Sequence, residues 1–270
     1  CIGWATYHIY AKNPNANVLV TPADHLILQE DAFDEAICRS LDYVKAHPKL
    51  VTLGVRPSRP ETGYGYIQFT DVEDEHFVKV KTFTEKPNIE MAKVFYESGE
   101  FLWNSGMFAW NVQTILDAFH QYLPSLTSIL DEVKGAYATD EEQSRVSQVF
   151  SECPNISIDY AVLEKADNVM VLPVDFGWAD LGTWGSLYEL KREEPRANVA
   201  LHTKALFYEA EGNIVSLDGD PEKQLVVVQG INDCIVAQSK GVLLICKRDE
   251  EQRIKEFMGE ASVQFDKKFD

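Results

Sequence analysis

The pattern of apolar and polar positions in the first part of the chain switches between helical and strand periods. Residues 1–12 and 31–46 place their apolar side chains at the spacing of one helical face. Residues 17–21 and 51–55 are short, continuous apolar runs, which are typical of strands buried on both faces. Strands that alternate with helices favour a parallel sheet with helices on both of its faces.

Further along, the same pattern predicts one more strand and a run of helices. Residues 77–83 alternate apolar and polar side chains, as a half-buried strand does. A proline at position 124 separates two of the helical segments that follow. The predicted helices span 91–98, 112–122, 126–134 and 140–150.

The pattern changes near Pro195, where long helices give way to short β-rich runs separated by turns. We therefore predict two domains, an α/β domain over 1–195 and a β-rich domain over 196–270 that ends in a charged helix at 249–257. The predicted strands of the second domain are 213–217, 224–230, 234–237 and 242–246.

Four polar motifs stand out from this apolar framework. They are Pro-Ala-Asp-His at 22–25, Glu-Lys-Pro at 85–87, Trp-Asn-Ser-Gly-Met-Phe at 103–108 and Gly-Trp-Ala-Asp-Leu-Gly at 177–182. The first motif follows strand 17–21, so we expect Asp24 at the carboxyl end of a central strand, where open α/β sheets bind ligands. The fourth motif supplies a second carboxylate, Asp180. Two carboxylates at such an edge favour a divalent metal that holds phosphates.

Each motif also has an ordinary structural explanation. Asp24 could cap the following helix, and Asp180 could form a turn. Glu85 and Lys86 could be a solvated pair at a strand end, and Asn104 could be a turn residue. Spacing alone leaves both sets of explanations open.

Taken in this order, the four motifs resemble those of the mannose-1-phosphate guanylyltransferases, within the sugar-phosphate nucleotidyltransferase superfamily. Two further stretches carry the resemblance, Arg-Pro-Glu-Thr-Gly-Tyr-Gly-Tyr-Ile at 59–67 and Ile-Asp-Tyr-Ala-Val-Leu-Glu-Lys at 158–165. The resemblance runs from about residue 1 to about residue 255. It implies a Rossmann-like, GT-A-like nucleotide-diphospho-sugar transferase fold with a mixed sheet, and coils of left-handed β-helix in the C-terminal domain.

The resemblance implies an activity, the transfer of GMP from GTP to mannose 1-phosphate, which gives GDP-mannose and pyrophosphate. It assigns catalytic roles to Asp24, Lys86 and Asp180, with Mg²⁺ held by the two aspartates. The implied substrate-binding residues lie in four segments of the chain. They are Glu61, Gly63, Tyr64, Gly65, Glu85, Asn104, Asp159 and Lys165.

The chain departs from the family at its start. The family's glycine-rich loop, which wraps the nucleoside triphosphate, has no counterpart here, and residues 1–9 resemble a later helix. We therefore expect an N-terminally truncated fold that lacks the first strands and loop. Two alternatives follow, a nucleotidyltransferase for another sugar phosphate or base, and a non-catalytic sugar-nucleotide-binding or regulatory subunit.

The net charge and the cysteine content bear on which partners the protein binds and on where it is located. A formal charge of -18 disfavours nucleic acid and anionic membranes, because binding a polyanion relies on Lys and Arg. No apolar run reaches the ~18 residues that a membrane span requires. Five cysteines without C-x-x-C spacing fit reduced thiols in a cytoplasmic protein. We also expect a homo-oligomer formed through the C-terminal β-rich region.

Overall fold

The computed structural model describes residues 1–72 and 76–265 of the chain, and at residues 71 and 72 it describes the backbone alone. The chain divides into two compact units. The first comprises Cys1–Ala23 and Ile27–Trp178, and the second comprises Asp24–Leu26 and Ala179–Asp270.

Helices and strands alternate irregularly in the chain up to Ala179. Its helices are α1 (Ile2–Lys12), α2 (Glu30–Ala46), α3 (Ile89–Ser98), α4 (Val112–Tyr122), α5 (Pro124–Asp131) and α6 (Glu142–Val149), with a π-helix at Asp159–Leu163. Its strands are β1 (Asn17–Val20), β2 (Leu26–Ile27), β3 (Leu50–Val55), β4 (Tyr66–Val72), β5 (Val78–Thr84), β6 (Phe101–Asn111), β7 (Val169–Val174) and β8 (Trp178–Ala179). Short 3-10 turns lie at Lys134–Ala136 and Phe150–Glu152.

A six-stranded mixed sheet forms the centre of the first unit, in the order β1-β6-β3-β7-β5-β4. β3 and β7 run parallel, and the other pairings that the structure describes in this sheet are antiparallel. The expectation of a parallel sheet was therefore wrong. Strands β4, β6 and β7 were not predicted from the sequence. The described pairings of β4 and β6 are antiparallel, and antiparallel neighbours do not require the long crossover that parallel neighbours need.

Strand β1 lies at the edge of this sheet and pairs antiparallel with β6. The expectation that it is a buried central strand was wrong. Its apolar run has a different cause, because Val18 and Val20 pack against the core on one face while Leu19 packs against the core on the other. Cover on both faces produces the same continuous apolar pattern at an edge as at the centre.

Helices cover both faces of the sheet, as the sequence pattern predicts. On one face α4 buries Ile115 and Phe119 against β-strand side chains such as Trp110. On the other face α2 buries Ala36, Ile37 and Val44. The apolar positions of α2 recur at helical spacing and form one side of the helix. That apolar side packs against the sheet, while the charged residues point outward.

A carboxylate at the start of α6 ties α1 to α6 within the first unit. Glu142 is mostly buried and accepts hydrogen bonds from Trp4 Nε1 at 2.6 Å and from the Ala138 N–H at 2.8 Å. His8 Nδ1 lies 2.6 Å from the same carboxylate. Burial alone would raise the pKa of Glu142, but these donors bring its pKa below the ordinary value.

We expect Glu142→Gln to lower the free energy of unfolding by about 2 kcal/mol at pH 7, since the new amide places a donor against the Ala138 N–H. A carboxyl group with a lowered pKa stabilises the fold above its unfolded pKa, and this stabilisation is lost as the pH falls through the folded pKa. The difference between wild type and variant should therefore begin to shrink as the pH falls below about 4.3, the ordinary glutamate pKa, and vanish below the lower pKa of the folded state. Urea unfolding across this pH range measures it, with the exposed neighbour substitution Glu141→Gln as control. A pH-independent difference would contradict the assignment.

The second unit is β-rich. Between residues 199 and 247 its strands are β9 (Val199–Leu201), β10 (Lys204–Tyr208), β11 (Ile214–Leu217), β12 (Leu225–Gln229), β13 (Cys234–Ser239) and β14 (Val242–Lys247), and these six strands form two sheets. The chain passes alternately between them, so that β9, β11 and β13 pair in parallel in one sheet and β10 pairs in parallel with β12 in the other; β14 then closes the first sheet antiparallel to β13. This coil-by-coil pairing is the pattern of a β-helix.

Up to residue 265, where the described part of the chain ends, three helical segments accompany these strands, namely α7 (Trp184–Lys191), a 3-10 segment (Arg248–Arg253) and α8 (Ile254–Gln264). Helix α7 joins the second unit because Tyr188 packs against Val199, Ile214 and Ile235. The compact units consequently divide before α7. A domain boundary near residue 195 stays a prediction.

The interior of the β-helical coils contains an asparagine that is fully buried, Asn213. Its side-chain amide donates to Asn198 Oδ1 at 2.9 Å and to the Ile231 carbonyl at 2.8 Å. Its Oδ1 accepts from the Cys234 N–H at 3.0 Å. Asn213 thus links three successive passes of the chain by hydrogen bonds.

Candidate functional site

The polar motif at 103–108 lies on β6, where the strand is interrupted by a bulge. The register against β3 shifts between Thr52 and Gly54, and Gly106 takes a φ of +71°. A positive φ is easily adopted by glycine, and a bulge re-aims the side chains beside it. Asn104 is therefore a strand residue next to a bulge, and the alternative of a simple turn was wrong.

Four groups hold Asn104 in place. The Thr52 hydroxyl donates to its Oδ1 at 3.1 Å, and the Gly106 N–H donates to the same oxygen at 3.2 Å. Its Nδ2 donates to Asp159 Oδ1 at 3.0 Å, and its backbone N–H donates to the Gly65 carbonyl at 2.8 Å. The structure thus brings together three residues predicted for the site, Gly65, Asn104 and Asp159.

Asp159 reaches this position from the π-helix. The Glu164 N–H donates to the Asp159 carbonyl at 2.9 Å, which is the wide i to i+5 turn of a π-helix. Such turns are frequent at functional sites. The sequence contains no signal for the π-turn, although the stretch 158–165 was singled out.

The Glu85–Lys86 pair differs from a solvated pair at a strand end. The Glu85 side chain is 15% exposed, whereas that of Lys86 is 61% exposed, and Lys86 Nζ lies 3.8 Å from Glu85 Oε1. Lys86 also adopts a φ of +48°, a region that non-glycine residues rarely occupy and that costs about 1–3 kcal/mol. The backbone is therefore held in an unfavourable conformation that presents an accessible cation beside a buried carboxylate.

Several carboxylates lie close together around this cation. Burial raises the pKa of Glu85, and the charge of Asp159 raises it further. Burial likewise raises the pKa of Asp159, and this effect outweighs the hydrogen bonds that lower the pKa, including the one from Asn104. The Glu164 pKa is raised by burial and by Asp159. Carboxylates with raised pKa values and an adjacent lysine form a region that would accept hydrogen bonds from neutral hydroxyl groups.

The loop before β4 is held rigid by Glu61. This carboxylate is buried, accepts from the Gly63 N–H at 2.9 Å, and accepts from Arg59 Nη2 at 2.9 Å. The Arg59 guanidinium lies 5.4 Å from the centre of the Trp103 ring. These two carboxylate hydrogen bonds lie within the loop and fix its shape, while the Glu61 N–H donates to the Tyr66 hydroxyl at the start of β4 at 2.8 Å.

Tyr64 and Gly65 form the end of this loop. The Tyr64 ring packs edge-on against Trp103 and Trp178, with ring centres 5.1 Å apart in each pair. The Lys86 N–H donates to the Tyr64 carbonyl at 3.2 Å. The loop is thereby attached to both Lys86 and Asn104.

Glycine is required at position 65 because two side chains approach its backbone closely. A Cβ at this position would collide with Glu85 Oε2 and would lie 3.3 Å from Asn104 Cβ. We expect Gly65→Ala to lower the free energy of unfolding by about 1–3 kcal/mol, since buried overpacking costs this much. Denaturant unfolding measures the change, with Gly135→Ala as control because its Cβ would meet open space. Equal stability of the two variants would show that Glu85 moves aside at no cost.

The two aspartates predicted to bind metal have different surroundings. The Asp24 side chain is 86% exposed, and its Oδ1 lies 4.0 Å from His25 Nε2. It does not cap α2, whose N-cap residue is Gln29. Asp180 Oδ1 accepts from the Gly182 N–H at 3.1 Å and from Ser186 Oγ at 3.0 Å, so the turn expected as its alternative is present.

Within residues 1–72 and 76–265, the structure forms no group of three or more His, Cys, Asp or Glu side chains that could hold a metal ion. A metal at Asp24 and Asp180 would therefore take its remaining ligands from substrate or water. Their hard oxygen atoms fit a divalent cation of the Mg²⁺ type, which is often bound by one or two carboxylates plus phosphate oxygens.

Two of the site's contacts were not expected from the sequence, and one expected residue lies apart. Thr52 and Arg59 were missed, although a threonine inside the apolar run 51–55 is a signal that could have been used. Lys165 lies exposed just after the π-helix. Substrate binding by Lys165 stays a prediction.

Comparison with known proteins identifies the family. The family model described as nucleotidyl transferase matches residues 2–196. The chain belongs to the nucleotidyl transferase family. It is similar to the mannose-1-phosphate guanylyltransferase of Escherichia coli (strain K12), with 37% identity over 243 residues, 88% of this chain and 50% of that protein. It is also similar to mannose-1-phosphate guanylyltransferase ManC of Salmonella typhimurium, with 36% identity over 88% of this chain and 49% of that protein.

Among solved structures, the chain is similar to one described as mannose-1-phosphate geranyltransferase from Thermus thermophilus. The TM-score is 0.79 at 29% identity, and the match covers 96% of this chain and 73% of that chain. This match confirms the predicted α/β fold with a mixed sheet and a β-rich C-terminal part. The chain spans about half the length of the curated relatives it matches.

Proposed function

We propose that the protein transfers GMP from GTP to mannose 1-phosphate, giving GDP-mannose and pyrophosphate. One observation carries the proposal, the cluster in which Asn104, Asp159 and the buried Glu85 surround an accessible lysine. Acceptors and amide donors suit sugar hydroxyl groups, and the lysine suits the phosphate of the same ligand. Mannose and guanine are supported by relatives that are named mannose-1-phosphate guanylyltransferase.

In this proposal the sugar phosphate is bound by the first unit. Lys86 pairs with its phosphate, and Glu85, Asn104 and Asp159 hydrogen-bond its hydroxyl groups. Gly63, Tyr64 and Gly65 form the loop against which the sugar ring lies, and Glu61 keeps that loop in shape. Lys165 adds positive charge on the phosphate side.

The attacking phosphate oxygen is already an anion, so the reaction needs no general base from the protein. Catalysis then consists of aligning the sugar phosphate with the α-phosphorus of GTP and of neutralising the charge that accumulates there. Asp24 and Asp180 would hold Mg²⁺, which supplies this neutralisation for the triphosphate when it is bound. Lys86 would neutralise the attacking phosphate.

The test is pyrophosphate release from GTP and mannose 1-phosphate with Mg²⁺, measured on this chain and on the longest form of the protein that its gene encodes. Asp180→Asn keeps the acceptor for Gly182 and Ser186 but removes the charge, so it should abolish turnover without loss of folding. The exposed substitution Asp175→Asn serves as control. If turnover occurs only with another sugar phosphate or another nucleoside triphosphate, the proposed substrates are wrong and the enzyme class stands. If the protein binds both substrates without turnover, the non-catalytic alternative is favoured.

We further propose that two copies associate through the outward face of β10 and β12. Four apolar side chains on this face are 46–58% exposed, namely Leu206, Tyr208, Leu225 and Val227. Leu206 and Val227 are register partners, so the face is continuous. In a two-fold dimer the same surface of each subunit packs against its counterpart on the other subunit, so one such contact would bury this apolar face on both copies.

The double substitution Leu225→Glu and Val227→Glu should convert a dimer into a monomer, because it would place four like charges in a two-fold interface. Sedimentation equilibrium measures the mass. Val263→Glu, on α8, is the control, since that side chain is 85% exposed and lies outside this face. A monomeric wild-type protein would end the proposal.

A cytoplasmic location completes the proposal. The five cysteines are free thiols, which fits a reducing compartment. Within the described residues, no helix is both long and apolar enough to cross a membrane.

A further inference from the structure

Thr52 is a polar residue in the middle of the apolar strand β3. Its exposed fraction is 0%, and its neighbours Val51 and Leu53 are equally buried. A buried hydroxyl is unfavourable unless it is hydrogen-bonded, and a valine would fill the same volume. The contact that the hydroxyl makes therefore accounts for the threonine.

That contact is to Asn104. The hydroxyl oxygen lies 3.1 Å from Asn104 Oδ1 and 3.4 Å from the Met107 carbonyl. A hydroxyl donates one proton, and the shorter distance favours Asn104.

Two groups that cannot exchange roles identify which atom of the Asn104 amide is the oxygen and which is the nitrogen. The Gly106 N–H can only donate, and it faces Oδ1; the Asp159 carboxylate accepts, and it faces Nδ2. The amide oxygen has two acceptor positions, and the Gly106 N–H and the Thr52 hydroxyl together fill both. Without the hydroxyl, one of these positions would face an apolar side chain in the core.

We propose that Thr52 is a positioning residue of the sugar-phosphate site, which fixes the Asn104 amide so that its NH₂ group faces Asp159 and the sugar. This proposal rests on the proposed function for the identity of the ligand. Thr52 itself does not touch the substrate. It acts by keeping the amide preorganised, so that the sugar does not have to order it on binding.

A matched set of variants tests the role. Thr52→Val keeps the volume and removes the hydroxyl, and Thr52→Ser keeps the hydroxyl. Thr127→Val is the control, because Thr127 is a similarly buried threonine on α5 whose hydroxyl donates to the Pro124 carbonyl. Thermal unfolding of each variant verifies that it is folded.

We expect Thr52→Val to raise KM for mannose 1-phosphate about five- to tenfold, the range that one neutral hydrogen bond corresponds to, with KM for GTP unchanged. Thr52→Ser should restore KM to within about threefold, and Thr127→Val should leave it unchanged. Equal KM values for wild type and Thr52→Val would overturn the proposal, as would an equal loss in Thr52→Ser.

A second readout needs no substrate. In the nuclear magnetic resonance spectrum of the ligand-free protein, the side-chain NH₂ signals of Asn104 should shift and exchange faster with water in Thr52→Val, but not in Thr52→Ser or Thr127→Val. If wild type fails to bind mannose 1-phosphate, the proposed function fails, and this spectrum still decides whether Thr52 orders the amide. Unchanged Asn104 signals in Thr52→Val would refute the positioning role.

Discussion

Replacing Lys86 by methionine is expected to lower kcat/KM for pyrophosphate release by about 10²–10³-fold, the effect of removing one preorganised charge-stabilising group. Methionine keeps most of the side-chain length and removes only the charge. The effect should be large because Lys86 is the cation that stands beside the carboxylates of Glu85 and Asp159. Without it, a sugar phosphate would bring its negative charge to a region that already repels anions.

Lys81→Met provides the comparison for Lys86. Lys81 lies on the preceding strand, β5, and is exposed, so its substitution changes the net charge equally without touching the carboxylate cluster. Steady-state measurement of pyrophosphate release for both variants separates a local effect from a general one. Losses of similar size in the two variants, or a loss below about threefold for Lys86→Met, would remove Lys86 from the mechanism.

Replacing Asn213 by leucine should lower the stability of the second unit by about 3–4 kcal/mol. The substitution leaves the Ile231 carbonyl and the Cys234 N–H without their Asn213 hydrogen bonds in a buried interior. The side chain that replaces the amide is of similar size, so the loss reports hydrogen bonds rather than a cavity. Hydrogen exchange of the β11 and β13 amides measures the loss within this unit, which global unfolding of a chain with two units would average.

Asn232→Ala is the control for this experiment. Asn232 Oδ1 accepts one hydrogen bond from the Glu211 N–H in an exposed position. Its loss should cost less than about 1 kcal/mol, because water can replace the acceptor. If both substitutions had equal effects on exchange, the hydrogen bonds of Asn213 would not be what holds the coils together.

The fold was predictable where periodicity is strong and continuous. Helices α2 and α4 carry clear apolar faces, and the sequence placed them within a few residues of their ends. Strands β4, β6 and β7 were missed. In β6 every residue is buried or half-buried, and the polar run at 104–106 interrupts the apolar positions, so neither a simple alternation nor a continuous apolar run is visible. The position of β1 at the sheet edge could not be predicted, because cover on both faces imitates a central strand.

The candidate site was predictable at the level of residues but not of contacts. Asn104 and Asp159 were chosen separately, and only the fold brings them within a hydrogen bond. The left-handed backbone of Lys86 has no sequence signal, since its side chain is not one that favours this conformation. The bulge at Gly106 was visible only as a glycine in a polar motif, which equally describes a turn.

Strand β6 pairs with β1, β3 and β4, and the same strand carries Asn104 beside its bulge. A strand has a two-residue repeat, so the gain or loss of one codon between positions 101 and 111 would reverse the faces of all residues beyond it. Such a change would move Trp110 from the core beneath α4 to the core beneath α2, where the smaller Ala109 now packs, and would disrupt both cores. A codon lost from a surface loop is absorbed locally. Insertions and deletions that survive in the history of this gene should accordingly be absent from this stretch and concentrated in the connections around it.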